Sequence, residues 1–164
     1  VSKFLEDYEI GERLDLGSHT FSKDEIIRFA ENYDPQPFHL SEEEAAKTHF
    51  KRLCASGWHT ASVYMKLLVA THKRLHMEAL ADGRVPARYG PSPGFEDLKW
   101  LRPVFSGDTI SYHTIVADKR NSSTRPAWGL IYADNHGTNQ NGEPVFYFRS
   151  KVFLERRPQI AEHA

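Results

Sequence analysis

The segment that decides the fold is Gly57-Trp58-His59-Thr60-Ala61-Ser62-Val63-Tyr64-Met65-Lys66-Leu67-Leu68-Val69-Ala70-Thr71-His72-Lys73-Arg74-Leu75-His76. From Ala61 to Ala70 only Ser62 and Lys66 are neither apolar nor aromatic. A surface helix carries one apolar stripe, whereas a helix apolar over most of its circumference is covered by other elements. Twenty helical residues reach about 30 Å. One long helix is therefore expected inside a wrapping layer.

The second half of the chain offers that layer. Gly94–Val104, Asp108–Lys119, Ala127–Asn139 and Pro144–Glu155 read as strands. In the last, Phe146, Phe148, Val152 and Leu154 share one face, and Arg149, Lys151 and Glu155 the other. Ser106-Gly107-Asp108, Asn121-Ser122-Ser123 and Asn141-Gly142 supply turns. Consecutive hairpins give an antiparallel sheet. The expected class is α+β: a curved antiparallel sheet wrapped around one long central helix, the hot-dog fold. Gly83–Pro93, with three prolines, reads as a flexible connection or a lid over a pocket.

On the other side of the long helix, Leu14–Phe21 reads as a short strand. Ser22-Lys23-Asp24-Glu25 reads as a capping box, with the Glu25 carboxylate returning to the Ser22 amide, and opens a helix to about Tyr33. Pro35 and Pro37 stop regular helix. A second capping box, Ser41-Glu42-Glu43-Glu44, opens a short helix over Ala45, Ala46 and His49.

Two stretches carry chemistry. In Tyr33-Asp34-Pro35-Gln36-Pro37-Phe38-His39 a carboxylate and an imidazole lie five residues apart across two prolines. A non-helical course would let both enter one cleft, giving two groups that hold and move protons near neutral pH. The same spacing also suits Asp34 ending one helix while His39 caps the next turn. Ala55-Ser56-Gly57-Trp58 opens the long helix. Free amides there form a partial positive site, and Gly57 lets a ligand approach the backbone. A plain Gly/Ser helix start fits that stretch as well.

Composition narrows the rest. The 164 residues suit one domain, 1–164. Lys+Arg 21 against Asp+Glu 22 leaves a net charge of -1, too balanced for a nucleic-acid partner. The lone Cys54 excludes an intrachain disulfide and a Cys-rich zinc site, and reads as a small buried hydrophobe. No apolar run reaches the ~18 residues of a membrane span, and Val1-Ser2-Lys3-Phe4-Leu5-Glu6 lacks a signal-peptide core. A cytoplasmic protein is expected. His72 and His76, four apart on the helix, lack a third metal ligand. His49 and His59 read as supporting or surface residues. Trp58, Trp100 and Trp128 read as packing groups, with Trp58 near enough to Gly57 to line a pocket.

Asp34-x-x-Pro37-x-His39, followed by Ala55-Ser56-Gly57 at the head of a long apolar helix, resembles the MaoC-like dehydratases, the (R)-specific enoyl-CoA hydratases of the hot-dog superfamily. The resemblance continues through Gly94–Val104, Ser106-Gly107-Asp108-Thr109 and Asn139–Val145. It departs at Tyr33, Gln36 and Phe38, where the family motif has Gly, Asn and an aliphatic residue. It implies that Asp34 and His39 hold a water that attacks C3 of a trans-2-enoyl thioester, with a proton delivered to C2 on the same face. It also implies that the Gly57 amide binds the thioester carbonyl. Pro37, Phe38, Ser56 and Trp58 are then expected to line the substrate. The substrate is a coenzyme A or acyl-carrier-protein thioester, and the product a (R)-3-hydroxyacyl thioester. No metal or redox cofactor is needed, and a homodimer or higher homo-oligomer is expected. Phe38, Trp58 and Gly83–Pro93 suggest a bulky acyl lining. Thr60 and Ser62 are weaker candidates. Two other readings share the fold: a thioesterase, disfavoured because Gly57–Met77 holds no Asp or Glu, and a catalytically silent acyl-thioester binding subunit.

Overall fold

The computed structural model describes residues 3–158. The reading of Val1 and Ser2, and the last six residues of the proposed domain, lie outside them. The chain runs through a 3-10 turn at Leu5–Asp7, then β1 (Arg13–Thr20), α1 (Lys23–Tyr33), α2 (Pro37–Leu40), α3 (Glu42–Ala46) and α4 (Gly57–Ala81). Four strands follow: β2 (Gly94–Trp100), β3 (Thr109–Asn121), β4 (Trp128–Thr138) and β5 (Pro144–Glu155). All pairings are antiparallel in one sheet of order β1-β3-β4-β5-β2. This is the hot-dog fold of an α+β protein.

One face of the sheet packs against α4. Leu16 of β1, Ile110 and Tyr112 of β3, and Val145 and Phe146 of β5 form the main core with Val63 and Tyr64 of α4 and Ile26 of α1. Each such large apolar side chain contributes about 1.5–3 kcal/mol on burial. A second cluster, Leu5, Ala87, Val116, Ile131 and Leu154, docks the N-terminal turn on the sheet.

The hairpin reading holds for β3-β4-β5, where Gly142 takes φ +79 in the turn. It fails between β2 and β3. β2 pairs with β5 at the far edge, because residues 101–108 cross beside the approach to α4: Cys54 bridges Phe105, and Ala55 N–H donates to the Val104 carbonyl at 2.7 Å.

Two further expectations are corrected. The long helix is not covered over most of its circumference. His59, Thr60, Val63, Tyr64, Thr71 and Ala79 are buried, while Trp58, Met65, Val69, Met77 and Leu80 are exposed. One sheet covers one side of a helix. Nor is Gly83–Pro93 a free lid. Gly90 N–H donates to the Phe153 carbonyl, Phe153 N–H to the Pro91 carbonyl and Glu155 N–H to the Arg88 carbonyl, while Arg88 pairs with Glu155 at 2.7 Å. The segment is sewn along the second half of β5.

Candidate active site

The Asp/His stretch forms two back-to-back helix ends. Asp34 is the C-cap of α1, its N–H donating to the Ala30 carbonyl. Pro37 does not end helical structure as expected. It opens α2 at a first-turn position, where its missing N–H costs no bond. His39 follows within that turn and is buried. The reading of Asp34 as a helix end is thus correct, and so is its meeting with His39: Asp34 Oδ2 lies 3.4 Å from His39 Nε2.

The imidazole is held at Nδ1 and turns Nε2 toward Asp34. Nδ1 lies 2.7 Å from the Cys54 carbonyl, which can only accept. That bond places the proton of the neutral ring on Nδ1 and leaves the Nε2 lone pair toward Asp34. The carbonyl is itself fixed. Leu53 N–H donates to Glu42 Oε2 at 3.0 Å, and the flanking residues pair with 104–106. Cys54 is fully buried, and burial pushes its thiol up to about 11, as expected of a packing residue.

Asp34 is held as a carboxylate. Burial raises its pKa, but hydrogen bonds from Ser56 and from Gln36 (Nε2 to Oδ1, 2.8 Å), with the nearby His39, lower it on balance. Ser56 also caps α4 by accepting from Trp58 N–H at 3.2 Å. One buried hydroxyl therefore links Asp34 to the head of the long helix.

His39, Phe38 and Gly57 line a common pocket of about 270 Å³, whose far side is Trp100, Leu101, Arg102, Pro103 and Val104. Asp34 reaches it through His39 rather than as a wall residue. Gly57 is the first residue of the 25-residue α4. Its amide donates to nothing among the described residues, and the helix N-terminus favours partial negative charge beside it. The structure adds a reason for glycine there: a Cβ would lie 2.3 Å from the Trp100 ring.

The remaining sequence-derived positions divide. Ser56 is 1% exposed and serves Asp34 and the helix cap rather than the pocket wall. Pro37 is exposed and outside the lining. Trp58 is 53% exposed and packs edge-on against Trp100 at 5.2 Å, beside a separate apolar groove with Met65 and Phe95. Residues 83–93 contribute nothing to the pocket. Of the bulky lining expected, only Phe38 is present. Of the two weaker candidates Thr60 lines the pocket and Ser62 does not, while sequence reasoning missed Phe50, Trp100, Arg102 and Val145 as lining residues. Arg102-Pro103-Val104 reads in the sequence as the end of the Gly94–Val104 strand; β2 instead stops at Trp100 and these residues return to the head of α4.

His59 and the two helical histidines also find places. His59 stacks on Phe29 at 4.6 Å, with its Nδ1 buried and without a hydrogen-bond partner among the described residues. Glu25 does not return to the Ser22 amide. Its carboxylate accepts from the Ser22 hydroxyl at 3.0 Å, bonds the His19 ring, and lies 3.8 Å from His59 Nε2. His72 stacks on Tyr89 at 4.3 Å, and His76 is exposed.

Residues 7–127 match the profile of the MaoC like domain, and the chain belongs to that family. It is 40% identical over 152 residues to the uncharacterized protein YdeM of Bacillus subtilis, covering 93% of this chain and 99% of YdeM. It is 35% identical over 69 residues to the mesaconyl-CoA hydratase of Cereibacter sphaeroides, spanning 42% of this chain and only 20% of that protein. Among solved structures, the MaoC-like dehydratase from Rhodospirillum rubrum is 35% identical, with a TM-score of 0.80 over 96% of this chain and 99% of that one. No helix among the described residues is long and apolar enough to cross a membrane.

Proposed function

We propose that this chain is a hydro-lyase that adds water reversibly to a trans-2-enoyl thioester of coenzyme A or acyl-carrier protein, giving the (R)-3-hydroxyacyl thioester. The observation that carries the reading is the Asp34–His39 pair, 3.4 Å apart, with His39 opening into the pocket lined by Gly57. Membership of the MaoC-like family supports it, as does the local likeness to a mesaconyl-CoA hydratase.

The chemistry balances within the pocket. The thioester carbonyl accepts from the Gly57 amide, which stabilises the enolate-like charge that develops as C3 is attacked. A water held between His39 Nε2 and Asp34 gives one proton to the pair while its oxygen bonds to C3. The pair returns a proton to C2 on the same face, so the net addition is one water. Proton transfer by one positioned group contributes typically 10²–10⁴-fold. Metal and redox cofactors have no part in this sequence, because the thioester itself acidifies C2. The whole chain acts as one hot-dog domain, and we place it in the cytoplasm as a homodimer or larger homo-oligomer.

The test is loss of the enoyl-thioester absorbance on mixing with crotonyl-coenzyme A, with a thiol reagent in parallel. Hydration bleaches the band without free thiol; Asp34→Ala and His39→Ala fold normally and lose about 10²–10⁴ in rate. Thiol release would assign a thioesterase instead. Binding without turnover in the native chain would assign a silent acyl-thioester subunit.

A further inference from the structure

We propose that the indole N–H of Trp100 is a second donor to the thioester carbonyl, beside the Gly57 amide, so that the pocket holds a two-point oxyanion site. The inference rests on the proposed hydration and adds a catalytic residue to it.

Gly57 and Trp100 meet at the pocket, and both line it. A Cβ on Gly57 would lie 2.3 Å from Cε2, 2.4 Å from Nε1 and 2.6 Å from Cδ2 of Trp100. The half of the indole that carries the N–H is therefore the half against Gly57. With ordinary bond lengths, the Gly57 amide nitrogen and Trp100 Nε1 are no more than about 5 Å apart. Two donors that share one oxygen at about 2.9 Å each can stand up to about 5.8 Å apart. One carbonyl oxygen can thus accept from both.

Neither donor is spent within the chain. The Gly57 amide has no acceptor among the described residues. Trp100 packs edge-on with Trp58 at 5.2 Å, and its indole N–H has no acceptor among the described residues either. The other side-chain donors in the wall are engaged. Thr60 Oγ1 donates to the Ser56 carbonyl at 3.4 Å, Arg102 donates to the Pro144 carbonyl at 3.0 Å, and the Cys54 thiol lies 3.7 Å from His39 Nδ1. His39 Nε2 faces Asp34.

The indole is placed before any substrate arrives. Trp100 ends β2 and pairs with Phe146 of β5, and Leu101 N–H donates to the Val145 carbonyl at 2.9 Å. A carbonyl oxygen has two lone pairs. An enolate-like oxygen carries more negative charge than the carbonyl it comes from, so donors already in position stabilise the transition state more than the ground state. Glycine at position 57 then serves twice: its amide donates, and its missing side chain admits the indole.

The experiment compares the native chain with Trp100→Phe and with 3-benzothienylalanine placed at position 100, which keeps the indole shape and replaces the N–H by sulfur. It measures kcat and KM on crotonyl-coenzyme A, and reads the carbonyl stretch of bound, unreactive butyryl-coenzyme A by isotope-edited infrared spectroscopy. Both changes are expected to lower kcat at least about tenfold, toward the 10²–10³ of a lost oxyanion donor, with little change in KM. The carbonyl band, displaced to lower frequency in the native chain, is expected to move back toward its free position. A packing role alone would slow Trp100→Phe but leave the isostere with native kcat and a native band; that result overturns the proposal. If Trp100→Phe fails to fold, the isostere decides by itself. The band is read without turnover, so failure of the hydration is distinguishable: no bleaching of crotonyl-coenzyme A, together with a band that the isostere shifts, removes the hydration and keeps the second donor. No displacement of the band in the native chain overturns the donor pair.

Discussion

At the residue scale, the site depends on how few atoms separate its parts. The Gly57 Cα faces the Trp100 indole with no room for a methyl group. Gly57→Ala is expected to cost about 1–3 kcal/mol, the range for overpacking, and to displace the pocket wall. Adding Trp100→Ala should restore part of the melting temperature lost, which differential scanning calorimetry can read. His59 offers a pH signature. Burial lowers its pKa to about 4 from the ordinary 6.5; Glu25 pulls it upward and His19 pushes it down further. Phe21 and Phe29 are the rings against it. The folded chain therefore holds His59 neutral where the unfolded chain takes up a proton. Its contribution is full above pH 6.5 and shrinks as the pH falls toward 4. Urea midpoints across that window should fall less steeply in His59→Phe than in the native chain. The Asp34/His39 motif was legible at this scale because its residues are close in sequence. The Cys54 carbonyl that sets the His39 tautomer was not, since a backbone acceptor carries no signature in a side-chain alphabet.

At the element scale, the head of α4 joins stability to chemistry. Ser56 accepts from Trp58 N–H and also bonds the Asp34 carboxylate. Loss of a serine N-cap costs about 1 kcal/mol. Ser56→Ala should show that loss in chemical denaturation and also move the acid limb of the activity profile to higher pH, because Asp34 loses a hydrogen bond that favours its charged form. A cap with no link to the site would change the denaturation midpoint alone. Helix and strand positions were largely readable from periodicity: β5 has the bounds expected, and α1 begins at the expected cap. α4 proved five residues longer than the Gly57–His76 reading, since nothing in Met77–Ala81 breaks a helix. The α2 turn was missed because proline was weighed as a helix stop rather than as a favourable first residue.

At the scale of the whole molecule, one sheet leaves its central helix half covered. Trp58, Met65, Val69, Phe95, Trp100 and Leu101 are exposed, and β2 is an edge strand with unpaired backbone groups. Such a face suits burial against a second copy of the chain, the homo-oligomer proposed above. Light scattering is expected to give a mass about twice the 18.8 kDa of the chain or a higher multiple; Met65→Lys with Phe95→Asp should shift it toward the monomer. The sequence by itself determined the long apolar helix, the strand alternation, the turn signals and the Asp34–His39 pair, because each is written in residues near one another along the chain. Tertiary structure decided which strands pair, that 83–93 lies along β5, that Trp100 comes to rest on Gly57, and that residues 101–104 return to the head of α4. These are contacts between segments far apart in sequence, set by the shared packing of one core, and no local pattern specifies them.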